Sequence, residues 1–172
     1  MVAATTALPP RTEIDENYTW NAPSVFADWD AWEAEADSVP QEFDALKAYQ
    51  GRLGESAGVL ADYMEKYESM QRRVAKLYFY AAMSAAVDSG DNKATSSVGR
   101  AMGINGRLNA TIAFTNPELL AIGQETLDSW MDAEPRLAPY RQYVHNLFRR
   151  QAHVRSAEVE QVLGMVSDPF GS

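Results

Sequence analysis

Two histidines, His145 and His153, are the imidazoles this sequence offers for metal or acid–base chemistry, and no cysteine accompanies them. They lie eight residues apart on or near one helix. They would face similar sides but sit roughly 12 Å apart along its axis. One zinc ion cannot take both unless the helix ends between them. Neither histidine stands in His-Glu-x-x-His, and no Glu-x-x-His pair is present, which argues against a metalloprotease helix or a di-iron carboxylate bundle in this stretch. Both read as surface or interface histidines.

The other chemistries fare no better. Serines are present without Gly-x-Ser-x-Gly, and a Cys-His pair is impossible without cysteine. Gly99, Gly103 and Gly106 form neither a P-loop nor Gly-x-Gly-x-x-Gly after a strand. The acids Glu33, Glu35 and Asp37 have the spacing of a solvated helix face. No catalytic, cofactor-binding or metal-ligating residue is therefore assigned in this chain. One group stands out for another reason. Tyr78, Phe79 and Tyr80 are consecutive, about 100° apart on a helix, so they cannot all face one neighbour.

The elements that would position these residues are helices. Ser56 to Val87 contains no proline, and its one glycine, Gly58, lies in the first turn. Leu60, Tyr63, Tyr67, Met70, Val74, Leu77, Ala81 and Ser84 step by three and four, the seam of a helix packed along its length. Val59, Met64, Ala75, Tyr78, Ala82 and Ala85 widen the stripe. Asp62, Glu65, Lys66, Glu68, Gln71, Arg72, Arg73 and Lys76 form the polar face. One rod or two stacked helices broken near Glu68–Ser69 both fit this pattern.

Upstream, residues 1–10 read as a flexible tail, and Trp20 with Tyr18 as an anchor for the entering chain. Asp28 caps a helix through Trp29, Trp32 and Ala36, and Ser38 offers a cap for the next, carrying Phe43, Leu46 and Tyr49. Downstream, 88–91 is a turn. Asn92 to Thr115 resumes helical spacing on Val98, Met102, Leu108 and Ile112. Its three glycines each cost roughly 1 kcal/mol against alanine, which suggests close approach of a neighbouring helix. Asn116-Pro117 reads as a stop, followed by short helices at 118–122 and 124–131 and a corner between Pro135 and Pro139. Tyr140, Val144, Leu147 and Gln151 mark a further helix. A last one runs from Ser156 with Val159, Val162, Leu163 and Val166 inside. No window alternates as a strand does. The fold class is all-α: a multi-helix bundle built on a long central helix.

The 172 residues suit one domain. A net charge of −9 argues against a nucleic-acid partner. No apolar run approaches the ~20 residues of a membrane span, and the N-terminus has no signal-peptide pattern, so a cytoplasmic location is expected.

Several segments fall in a familiar order: RTEIDENYTWN, AWEAEADSVP, Gly51-Arg52-Leu53, KLYFYAAMSAAVDSGDN, FTNPELLAI, LAPYRQYVHNLFRRQAHVRSAEVEQVLG and MVSDPFGS. Together they resemble the N-terminal region of oligoendopeptidase F, in the thimet-oligopeptidase-like family of zinc metallopeptidases, across residues 11–172. The resemblance implies an N-terminal lobe of a clam-like helical enzyme, with the catalytic zinc domain absent from this chain. Its role there would be a wall or lid of the channel that admits oligopeptides. Zinc would belong to the parent enzyme, bound by a His-Glu-x-x-His helix and a later glutamate that have no counterpart here. The expected partners are the catalytic lobe and an oligopeptide, not nucleic acid or membrane, and the chain alone is expected to be inactive. A free-standing helical interaction module is the alternative. Self-association is also expected, through Tyr78, Phe79 and Tyr80 and through the terminal helix with Val159, Val162, Leu163, Met165 and Val166, the latter being the favoured contact.

Overall fold

The structure is a computed structural model and describes residues 9, 13–88, 90–151 and 162. The described residues form helices and turns, with no strand among them. Seven α-helices follow in order: α1 (Trp29–Ser38), α2 (Phe43–Lys47), α3 (Ala57–Val87), α4 (Asn92–Thr111), α5 (Thr115–Ile122), α6 (Gln124–Ala133) and α7 (Arg141–Arg149). The expected tail 1–10, apart from Pro9, lies outside the described residues, and so does the expected helix from Ser156, apart from Val162.

The α3 helix runs unbroken for 31 residues, roughly 46 Å. Ser56 starts it: its backbone is extended and its hydroxyl accepts from the Val59 amide at 3.2 Å. No break occurs at Glu68–Ser69, because both residues lie on the exposed side and Tyr67 and Met70 keep the inward row in step. Leu60, Tyr63, Met70, Val74, Leu77 and Ala81 are buried along that row. Asp91 then caps α4, accepting from Lys93 and Ala94, so α4 folds back antiparallel on α3.

The two halves of α3 carry different layers. At its start, Leu60 and Met64 meet Leu119 of α5, Leu127 and Met131 of α6, Leu137 of the Pro135–Tyr140 turn and Val144 of α7. Towards its end, α1 and α4 cover it. Trp32 is fully buried and donates from its indole to the Leu77 carbonyl at 2.9 Å. Tyr80 takes edge contacts from Trp20, Phe26 and Trp29, with ring centroids 5.0–5.9 Å apart. Each fully buried large apolar side chain stabilises by about 1.5–3 kcal/mol.

Several expectations need correcting. Trp20 packs against Tyr80, but Tyr18 is 84% exposed and anchors nothing. Ser38 ends α1 and makes no cap; its hydroxyl bonds back to Glu35, and a short 3-10 turn (Val39–Glu42) leads into α2. The buried residues of α4 are Ala94, Ser97, Ala101, Ile104 and Leu108; of the expected row, Leu108 is buried and Val98 and Ile112 pack partly buried against the core, whereas Met102 is 38% exposed. Ala94, Ser97 and Ala101, small residues outside the expected row, complete that buried face. Close approach does not explain the glycines at 99 and 103, since a Cβ on either would meet nothing within 4 Å. Asn116-Pro117 is not a stop: α5 begins at Thr115, and Pro117 sits in its first turn, where the missing amide has no helical partner to lose. Gln151 is exposed.

Candidate functional site

The described residues among those weighed for chemistry are tied up in ion pairs and hydrogen bonds. His145, on α7, places Nε2 2.8 Å from the Asp128 carboxylate of α6, and Arg141 lies 3.5 Å from the same oxygen. His153 lies outside the described residues. Among the described residues, no group of three or more His, Asp or Glu side chains is arranged to hold a metal ion.

The acids of α1 are tied to its neighbours. Glu33 pairs with Arg100 and, at 3.1 Å, with Lys93, and Asp37 pairs with Arg100 at 2.7 Å, which fastens α1 to α4. Glu35 points the other way. It accepts from Arg73 of α3 at 2.6 Å, and Arg73 also reaches Glu42 at 2.8 Å and the Ser38 hydroxyl. The Arg73 hydrogen bond holds the Glu35 carboxyl below its ordinary value, against the opposing effect of burial. At the other end of α3, Arg136 spans Asp62, Glu65 and Glu134 at 2.7–3.3 Å.

One polar device went unread in the sequence. The Glu118 carboxylate of α5 accepts the Gly51 amide at 2.5 Å and the Leu53 amide at 3.2 Å. Gly51 has φ +81°, the left-handed region that glycine adopts without strain. The signal in sequence is a glycine turn, with no hint of a partner 67 residues away. Beside it, Tyr63 is buried among Tyr49, Tyr67 and Phe114 and shares a hydrogen bond with Thr115. Burial drives the Tyr63 phenol pKa upward.

What remains unpartnered is apolar. A groove of about 420 Å³ opens between α3 and α4, lined by Gln71, Val74, Ala75, Tyr78 and Phe79 on one side and Met102, Asn105 and Gly106 on the other. None of these side chains is charged. The spacings 71, 74, 75, 78, 79 and 102, 105, 106 place each set on one helical face. Of the aromatic trio, Tyr80 turns into the core at 6% exposure, whereas Tyr78 and Phe79 stay outside at 39% and 61%. Their rings meet edge-on with centroids 5.7 Å apart. Gln71 donates to the Tyr67 hydroxyl at 2.7 Å, which fixes one end of the groove. Met102, Asn105 and Gly106 were not foreseen as groove residues; the one available signal was an apolar and a small residue four apart on an otherwise polar arc. A second, more polar groove of about 630 Å³ lies between α4 and Ala36–Gln41, where Arg107 stacks over Phe43 at 5.8 Å.

Comparison with known proteins places this architecture. A family model described as Oligopeptidase F matches residues 118–172. Group B oligopeptidase PepB of Streptococcus agalactiae serotype III (strain NEM316) is 30% identical over 162 residues, covering 94% of this chain and 27% of the relative. The plasmid oligoendopeptidase F of Lactococcus lactis subsp. cremoris is 29% identical over 163 residues, with the same coverage of 94% and 27%. The crystal structure of oligoendopeptidase-F from Enterococcus faecium superposes with a TM-score of 0.75 at 22% identity, over 83% of this chain and 28% of that one. The last likeness speaks for the fold alone. The chain thus spans about a quarter of the length of the curated relatives it matches.

Proposed function

We propose, for a chain that is a relative of the oligoendopeptidases F over nearly its whole length, that it serves as the non-catalytic N-terminal lobe of a cytoplasmic, zinc-dependent oligopeptide hydrolase. In this reading it forms a wall or lid of the channel that admits the peptide. The observation that carries the reading is the alignment of 94% of this chain with only 27% of a relative named as an oligopeptidase. Zinc, oligopeptide cleavage and its machinery then belong to the polypeptide making up the rest of that length, and no residue of this chain is assigned to bind the ion.

The physics of the lobe suits a wall. Enclosing an extended peptide takes a rigid element longer than the segment it holds. The α3 rod is buried along one face from Leu60 to Ala81 and tied on others through Arg73 and Arg136. The uncharged groove between α3 and α4 is the surface on which a peptide or a second lobe would find apolar contact.

The test is the complete gene product. The expected result is a His-Glu-x-x-His helix encoded beyond Ser172, chelator-sensitive cleavage of a quenched oligopeptide by the whole product, and no cleavage by the 172 residues alone. Turnover by the 172-residue chain that His145→Ala abolishes would overturn this reading. So would a reading frame that closes at Ser172, which would favour the helical interaction module instead.

A further inference from the structure

Residues 48–55, between α2 and α3, cross the bundle as a strap whose own hydrogen bonds are local. The amides of Ala48, Tyr49, Gln50, Arg52 and Glu55 reach back three or four residues, and the Arg52–Glu55 ion pair spans three. What ties the strap to the rest of the molecule is of another kind. Leu53 is fully buried in the core, and the Tyr49 ring lies 5.6 Å from that of Tyr63. Glu118 of α5 accepts the Gly51 and Leu53 amides at 2.5 and 3.2 Å.

We propose that this strap opens as a unit while the bundle stays folded, and that Glu118 is the latch that holds it shut. The positive φ at Gly51 turns the chain so that the amides of residues 51 and 53 converge on one carboxylate. Backbone turns of this sort make amide-lined concavities that suit an anion. A charged acceptor makes stronger hydrogen bonds than a neutral one, and here a single side chain supplies both. Among the described residues, no other long-range hydrogen bond holds residues 48–55. Losing the carboxylate therefore frees both amides at once, and no second polar anchor keeps the strap in place.

The helices on either side do not depend on the latch. The α3 helix begins with its own cap, the Ser56 hydroxyl on the Val59 amide, and α2 is held by Phe43 and Leu46 in the core. Opening lifts Tyr49 from Tyr63, brings Leu53 into water and presents the peptide bond after the half-exposed Arg52 to a protease. Local hydrogen bonds and a single fully buried side chain place the strap at the low end of the range of opening free energies. The inference goes beyond the lobe reading and stands or falls independently of it.

The experiment is native-state hydrogen exchange of the 172-residue chain, followed by NMR at rising sub-denaturing urea. Gly51 and Leu53 are expected to share one protection factor that depends little on urea, because little surface is exposed when the strap opens. Val74 and Leu77 of α3 are expected to exchange more slowly and with a steep urea dependence, as unfolding of the whole bundle requires. Glu118→Ala should speed exchange at both strap amides about tenfold or more, and Glu118→Gln, which keeps one neutral acceptor oxygen, by less. Trypsin should nick Glu118→Ala after Arg52 faster than the parent, giving fragments 1–52 and 53–172. Strap amides as slow and as urea-dependent as Val74 and Leu77 would show that the strap opens only with the bundle, and would overturn the proposal. Unequal protection at Gly51 and Leu53 would overturn the single opening. Parent-like exchange at both amides in the Glu118 variants would remove Glu118 as the latch. The parent measurement and Glu118→Gln decide the matter even where Glu118→Ala does not fold.

Discussion

At the scale of single residues, the chain uses charge as a fastener. Arg73 gathers Glu35, Glu42 and Ser38 from the first two helical segments onto α3. Surface pairs of this kind are worth about 0–1 kcal/mol each, and the Glu35 pair, at 26–28% exposure, belongs at the upper end. Its pH dependence has a definite sign. The folded-state pKa of Glu35 lies below its ordinary value of 4.5, chiefly through the Arg73 hydrogen bond. Its contribution is complete above pH 4.5 and is lost as the pH falls through the lower, folded value. Urea midpoints of the parent should therefore drop on acidification below that value. Glu35→Gln should cost about 1 kcal/mol at neutral pH and flatten the acid limb. An acid limb unchanged by Glu35→Gln would show that other carboxylates set it. The spacing of Glu33, Glu35 and Asp37 was legible as a helix face, but their partners were not, because those partners lie 38–67 residues away.

At the scale of elements, caps were only partly readable. Asp28 accepts from the Ala31 amide as expected, Ser38 makes no cap, and Ser56 and Asp91, which were not read as caps, each accept from an amide two or three residues on. Part of the buried face of α4 escaped because it is built from the small residues Ala94, Ser97 and Ala101. Hydropathy ranks such residues low, and the closeness of the neighbouring helix is what buries them. The glycines of α4 follow the same logic in reverse. Gly99 and Gly103 have open space where a side chain would stand, so neither is held by packing. Gly99→Ala and Gly103→Ala should each raise stability by roughly 0.5–1 kcal/mol, since alanine loses less backbone freedom in a helix. Thermal unfolding monitored by circular dichroism reads this directly, and a fall in midpoint for both would mean that a contact not seen in the described residues occupies that side.

At the scale of the molecule, the buried apolar residues from Trp32 to Leu147, Ala94 apart, belong to one contiguous cluster. Both ends of α3 enter it: Leu60 with the α5–α7 layer, Leu77 with α1. Local loss of either layer would expose the shared rod, so the described region should unfold as one cooperative unit. Tryptophan fluorescence, which reports chiefly on Trp20, Trp29 and Trp32 at one end and Trp130 at the other, should give the same urea midpoint as helical ellipticity. Separated transitions would instead mark the α5–α7 layer as an independent unit.

The sequence by itself determined what depends on neighbours along the chain. Three-four periodicity and the absence of proline made α3 a helix, the capping residues set its start and that of α4, and the order of local segments carried the likeness to oligoendopeptidase F. The tertiary structure alone decided what depends on distance through space. It turned Tyr80 inward and left Tyr78 and Phe79 outside, because Trp20, Phe26 and Trp29 arrive on only one side of α3. It brought Glu118 to the amides of Gly51 and Leu53. It also opened the groove between α3 and α4, whose two walls come from helices joined by a turn. Period and cap are properties of a few consecutive residues, whereas a groove is a property of two surfaces, and neither surface contains the other's position.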